Sequence, residues 1–174
     1  MIRNNFSSIQ NSDSSVKENR NLTKNINDQK LILCSDNNQE INITSFNCPV
    51  ILLYFAAHWS PSCIAFTPIL EKLYNHWNLK EKNVEIIFVS SDLDEESFKE
   101  FLGHMNWLSF RYKDPKGEEL KIKCEIQDKD LPHNLPKLVV VDKNLNLIYQ
   151  DGKKIVNLFG SKAIDEFKKL YNKL

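Results

Sequence analysis

The sequence predicts a three-layer α/β sandwich, with helices over a central mixed sheet that an N-terminal hairpin opens. Two largely apolar runs, Val50–Ala56 and Val84–Ser90, have the length and composition of strands buried on both faces. Each is followed by apolar residues at three- and four-residue steps, the period of a helix packed on one side. Strand, helix, strand, helix needs a right-handed crossover, which sets the two runs side by side and parallel.

The elements follow in order. Residues 1–29 are rich in asparagine and serine without regular apolar spacing, and are expected to be a disordered arm; residues 30–174 form one domain. Lys30–Cys34 and Glu40–Ile43 flank the turn signal Ser35-Asp36-Asn37-Asn38, which predicts the hairpin. Asn47-Cys48-Pro49 leads into Val50–Ala56. Beyond His58-Trp59, Ser60-Pro61 is a hydroxyl N-cap followed by proline at the first helical position. Phe66, Leu70, Leu73 and Trp77 make that helix's inner stripe, and Pro68 is expected to kink it. Ser91, Asp92 and Asp94 offer caps to a second helix, with Phe98, Phe101 and Leu102 inward and Gly103 at its end. Trp107–Tyr112 is a short extended piece, and Pro115 starts a helix carrying Leu120, Ile122 and Cys124. Asp128–Asn134 has the polarity of a loop. Lys137–Val141 is a strand, joined by Asp142-Lys143-Asn144 to a hairpin partner, Leu145–Tyr149. Gly152 and Gly160 punctuate the exit, and Ser161 caps a last helix with Ile164, Phe167, Leu170 and Tyr171 inward.

Composition narrows the function. The 174 residues are 41% apolar, enough for one core, and 23 basic side chains balance 23 acidic ones. Zero formal charge gives no electrostatic case for nucleic acid or a membrane surface. No apolar block near Met1 resembles a secretory leader, and no run approaches the ~20 apolar residues of a spanning helix. A cytoplasmic location is expected; Asp13 and Glu18 count against an organellar address in the Arg3-containing, serine-rich start. Cys34, Cys48, Cys63 and Cys124 form no C-x-x-C pair, and His58, His76, His104 and His133 lack ligand spacing. Neither a disulfide scaffold nor a metal site is expected. Gly103, Gly117, Gly152 and Gly160 make no phosphate loop, so no cofactor is expected, and the absence of a long apolar patch suggests a monomer.

Several segments together resemble one family. Phe55-Ala56-Ala57-His58-Trp59, with Cys63 four residues on and Pro68 five beyond that, is similar to the active-site strand and helix of the thioredoxin superfamily. Phe66-Thr67-Pro68, Glu85–Ser90, Glu95-Glu96-Ser97-Phe98-Lys99 and Met105-Asn106-Trp107-Leu108 resemble its nucleoredoxin and tryparedoxin branch, with Asn106 in place of a proline. Tyr54 stands where ordinary thioredoxins hold a buried aspartate, again as in tryparedoxins. Leu135-Pro136-Lys137 and the strand after it are similar to the segment holding the family's cis-proline, with Lys137 where many members carry threonine. The resemblance covers roughly residues 30–170.

What the resemblance implies is a thioredoxin-like fold and protein-disulfide reduction. One cysteine at a helix amino terminus attacks, its thiolate stabilised by the dipole, and a second resolves the mixed disulfide. The branch motif is Trp-Cys-Pro-Pro-Cys, and here it is Trp59-Ser60-Pro61-Ser62-Cys63. By resemblance, Ser60 holds the attacker's position and Cys63 the resolver's. Trp59, Pro61, Leu135 and Pro136 border the substrate, the Leu135 backbone pairing with an extended peptide. The implied partners are protein disulfides and a thiol reductant of the thioredoxin, glutathione or trypanothione type.

A serine hydroxyl ionises far above a thiol's ~8.5, and no adjacent base activates it, so dithiol exchange is not expected of this chain. Cys48 cannot stand in. The strand between it and Cys63 spans about 20 Å, whereas bridged Cα atoms lie within about 7 Å. Ser60 leaves three accounts: a change introduced where the gene encodes cysteine, a native serine that leaves a redox-inactive peptide-binding module, or monothiol chemistry at Cys63. His58 is expected to be a solvated neighbour of the motif.

Overall fold

All seven residues of Val50–Ala56 are buried, because this strand (β3) is hydrogen-bonded on both edges and covered on both faces. The computed structural model describes residues 30–33, 40–126 and 134–173. The other strands are β1 (Lys30–Leu33), β2 (Glu40–Asn42), β4 (Val84–Ser90), β5 (Leu108–Ser109), β6 (Lys137–Val141) and β7 (Leu147–Tyr149). They form one mixed sheet in the order β2-β1-β5-β4-β3-β6-β7. The expected parallel pairing holds over its whole length, from Val50 opposite Val84 to Ala56 opposite Ser90. On the other edge β6 runs antiparallel to β3, with Ile51 opposite Val141 and Phe55 opposite Lys137.

The helices are α1 (Pro61–Trp77), α2 (Glu95–Leu102), α3 (Pro115–Lys123), α4 (Gly152–Phe159) and α5 (Ala163–Tyr171). Side chains alternate across the sheet. Tyr54, on one face, meets the rings of Phe66 on α1, of Phe88 beside it and of Trp107 edge-on. Phe88 in turn packs on Phe98 and Phe101 of α2. Trp77 meets Phe167 edge-on, which seats α5 against α1. Gly117 of α3 lies beside Val89, which points to the opposite face from Phe88, so α3 covers the other side and the three layers are complete. At the amino end of β3 the Tyr171 hydroxyl accepts the Ile51 N–H (2.8 Å) and donates toward the Val141 carbonyl, tying α5 to two strands.

Several sequence expectations are corrected. Ile122 is 79% exposed, because it lies about 200° around α3 from Leu120, which is buried with Cys124. As expected, Asp94 caps α2 by accepting from the Ser97 N–H, and Gly103 ends that helix. Ser161 does not cap α5; it lies in a 3₁₀ turn, and its carbonyl accepts the Trp77 indole N–H at 2.8 Å. Gly160, at φ +52°, turns the chain between α4 and that turn. Residues 1–29, Cys34 and positions 127–133 lie outside the described residues, so the expected arm and most of the Asp128–Asn134 loop have no counterpart there.

The helix α4 was not anticipated, because Gly152 carries the signal of a turn. It is glycine for a packing reason: a Cβ there would lie 2.8 Å from the Leu138 carbonyl oxygen, so α4 sits directly on β6. Gly152→Ala therefore destabilises the fold by about 1–2 kcal/mol, even though alanine is the better helix former. Thermal unfolding measures this as a lowered Tm; an unchanged or raised Tm would refute the close approach.

Candidate active site at the tip of the first helix

Where β3 ends, three chain segments converge. Ser60 closes the turn after the strand by donating its N–H to the Ala57 carbonyl (3.2 Å). Its own carbonyl accepts from the Cys63 and Ile64 N–H groups at 3.0 and 3.1 Å, so it is the N-cap residue of α1, with Pro61 at the first helical position as expected. The expected hydroxyl cap is absent. The Ser60 side chain caps no backbone N–H. Ser60 is buried, Cys63 has no exposed surface, and Pro61 and Ser62 face solvent.

Burial pushes the Cys63 thiol up. The Ser60 hydroxyl, the Ala57 backbone and the Lys153 ammonium oppose that rise, and the Asp92 carboxylate adds to it. Behind the cysteine, the Thr67 hydroxyl donates to the Cys63 carbonyl at 2.8 Å. With that proton committed, the Tyr54 hydroxyl, 2.9 Å away, donates to Thr67. Burial holds the Tyr54 phenol far above its usual range, so it acts as a neutral donor that fixes the first turns of α1 to β3. The helix continues unbroken through Pro68.

On the β6 side the Leu135–Pro136 bond is cis. Continuing the β3–β6 register one residue past Phe55 and Lys137 sets Pro136 opposite Ala56, beside the turn that carries Ser60. Leu135 is buried, and its backbone N–H and C=O make no hydrogen bond with any described residue. On the β4 side, Ser91 donates its N–H to the Ala56 carbonyl (2.9 Å), and its own carbonyl accepts the Trp59 indole N–H (3.0 Å). Trp59 is thus half-buried and tethered. Asp92 accepts from the His58 N–H at 2.6 Å and the Ser90 hydroxyl at 2.7 Å. Burial raises the Asp92 carboxyl, and those bonds counter it.

The structure therefore brings Trp59, Ser60, Pro61 and Cys63 together on one turn, with Leu135 and Pro136 in the segment that leads into β6. His58 is not the solvated neighbour expected of it. Its ring stacks on Phe101 and its Nδ1 lies 3.8 Å from a Glu100 oxygen, so it belongs to the contact with α2. Cys48 is buried before the other end of β3, its thiol donating to the Val50 carbonyl, and Cys124 is buried at the end of α3. Among the described residues Cys48, Cys63 and Cys124 are free thiols, and no cluster of side chains could hold a metal. Sequence reasoning missed Asp92 as the tie between two loops, and missed Lys153. The only available signal for the latter was the Lys153-Lys154 pair after Gly152.

Comparison with known proteins agrees with this geometry. Residues 47–147 match the family described as Thioredoxin-like. Human nucleoredoxin is 33% identical over 122 residues, 70% of this chain and 27% of that protein. Probable nucleoredoxin 1 of Arabidopsis thaliana is 46% identical over 70 residues, 40% of this chain and 12% of that protein. The chain thus spans a third or less of the nucleoredoxins it matches. Among solved structures, tryparedoxin II from C. fasciculata superposes with a TM-score of 0.65 at 27% identity, covering 77% of this chain and 84% of that one. Tryparedoxin II complexed with glutathionylspermidine gives 0.65 at 26% identity, covering 80% and 94%.

Two outcomes follow from the buried thiols. Alkylation of Cys63 by iodoacetamide, followed by peptide mass spectrometry, is far slower in the native protein than in urea and still accelerates above pH 9; a plateau below pH 8 would contradict the raised thiol. Burial also raises Cys48 and Cys124. A folded state that holds these protons more tightly than the unfolded chain keeps their full contribution below about pH 8.5 and loses it as pH climbs further. The urea midpoint accordingly falls between pH 8 and pH 10; a constant midpoint would show that burial does not shift these groups.

Proposed function

This chain belongs to the thioredoxin-like family, on its nucleoredoxin and tryparedoxin branch, and from that footing we propose that the tip of α1 is a thiol–disulfide exchange centre in which Ser60 takes the attacking cysteine's place. The observation that carries this is the placement of Ser60: the N-cap of α1, three residues before a fully buried Cys63 and just past the strand end whose register sets Ala56 opposite Pro136. A thiolate at that position would feel the helix dipole and the free N–H groups of the first turn. It would attack one sulfur of a substrate disulfide, forming a mixed disulfide and expelling the other sulfur as a thiolate that takes up a proton. Cys63, once deprotonated, would displace the bound sulfur, leaving a disulfide across positions 60 and 63 for an external thiol to reduce.

An alcohol at position 60 cannot begin that sequence. In its present form the chain docks an extended segment against Trp59, Pro61 and the Leu135 backbone without exchanging sulfur with it. The burial of Cys63 favours the resolving role over monothiol chemistry, since a sealed, raised thiol is a poor nucleophile. The proposed partners are protein disulfides and a thiol reductant of the thioredoxin, glutathione or trypanothione type, met by a monomer in the cytoplasm.

Insulin reduction tests the proposal. Ser60→Cys is expected to turn over insulin with dithiothreitol at least about tenfold faster than the Ser60 chain, which stays at background. Adding Cys63→Ser to that variant should stop turnover and leave a trapped mixed disulfide. No turnover by Ser60→Cys with dithiothreitol, glutathione or thioredoxin as reductant would sink the proposal.

A further inference from the structure

An open cleft of about 570 Å³ lies between the Leu135–Pro136 segment and α4. Leu135, Pro136 and Leu138 form its apolar side, and Leu158 of α4, 67% exposed, rims it. Its charged lining residues are Lys137, Lys153, Lys154 and Asp151, three positive against one negative, a local surplus of two in a chain whose formal charge is zero. The cations are not equivalent. The Lys137 ammonium is committed to the Cys124 carbonyl at 2.6 Å. Lys153 is half-buried with its ammonium 5.3 Å above the Phe66 ring, a cation–π seat that holds the charge at the cleft's edge. Lys154 is exposed, and no described carboxylate pairs with Lys153 or Lys154.

The backbone of both lysines lies in the first turn of α4, which the lack of a Cβ at Gly152 lets settle onto β6. We propose that this cleft selects extended peptide segments carrying acidic side chains, whose carboxylates Lys153 and Lys154 receive while apolar side chains rest on Leu135, Pro136 and Leu158. The inference rests on the reading of the Leu135–Pro136 edge as the docking edge, and adds which segments it prefers. Asp151, at the same rim, sets a complementary preference: a basic residue at one end of the segment is tolerated where a run of them is not. Charge complementarity at an open cleft acts through screened interactions, so the preference weakens as salt rises.

Fluorescence anisotropy of the full chain with two labelled, cysteine-free peptides tests this. The peptides share length and apolar residues, and differ only in glutamate or lysine at the same positions. At low salt the acidic peptide should bind at least about tenfold more tightly, and the ratio should shrink at 0.5 M salt. The double change Lys153→Glu, Lys154→Glu should remove or invert the preference. Lys143→Glu, on the turn between β6 and β7 at the opposite end of the sheet, should leave it intact, with thermal unfolding confirming that all variants fold. Equal affinity for the two peptides, or a preference that survives the double change, overturns the inference. If Ser60→Cys reduces insulin while charge preference is absent, the selectivity falls and the exchange centre stands. If neither peptide binds, the docking edge itself is lost and this inference with it.

Discussion

The register of β3 between its two neighbours is the constraint on which the site depends. A strand with no exposed residue must satisfy each backbone group through β4 on one edge and β6 on the other. A slip of one residue would send Tyr54 to the wrong face and strip α1 of its anchor. Because that pairing cannot slide, the places where the strands stop are fixed relative to one another. Ala56 ends β3 beside Ser90 of β4 and across from Pro136, and the turn bearing Ser60 has nowhere else to stand. The chemistry at the tip is set by packing a dozen ångströms and more behind it.

At that tip several buried polar groups are paired with neighbours, while the buried Ser91 hydroxyl finds no partner among the described residues. Thr67 commits its hydroxyl to the Cys63 carbonyl, Tyr54 commits its own to Thr67, and the Asp92 carboxylate accepts from the backbone N–H of His58. The Tyr54–Thr67 and His58–Asp92 bonds join elements that meet only in the folded state. Ser60 holds the N-cap position through its backbone, its carbonyl accepting from Cys63 and Ile64.

Much of this was legible in the sequence, and the reasons are local. Val50–Ala56 is a strand because only burial on both faces suits such a run, and Pro61 begins a helix because the first position needs no N–H. The cis bond before Pro136 was legible only through family resemblance, since no local signal distinguishes it. What could not be read depends on partners distant in the chain. Gly152 looks like a turn until Leu138 is seen beneath it. Ser60 looks like a hydroxyl cap, yet its side chain bonds no backbone N–H of the helix. His58 looks solvated until Phe101 lies under its ring, and Ile122 looks like core until α3 is placed with Leu120 inward.

Cys48 and Cys63 sit at opposite ends of a strand that is wholly enclosed, and both are buried. They can touch only if that strand leaves the sheet. A crosslink between them found in purified material would be a fossil of an opened chain, a tamper seal reporting that the core had once come apart.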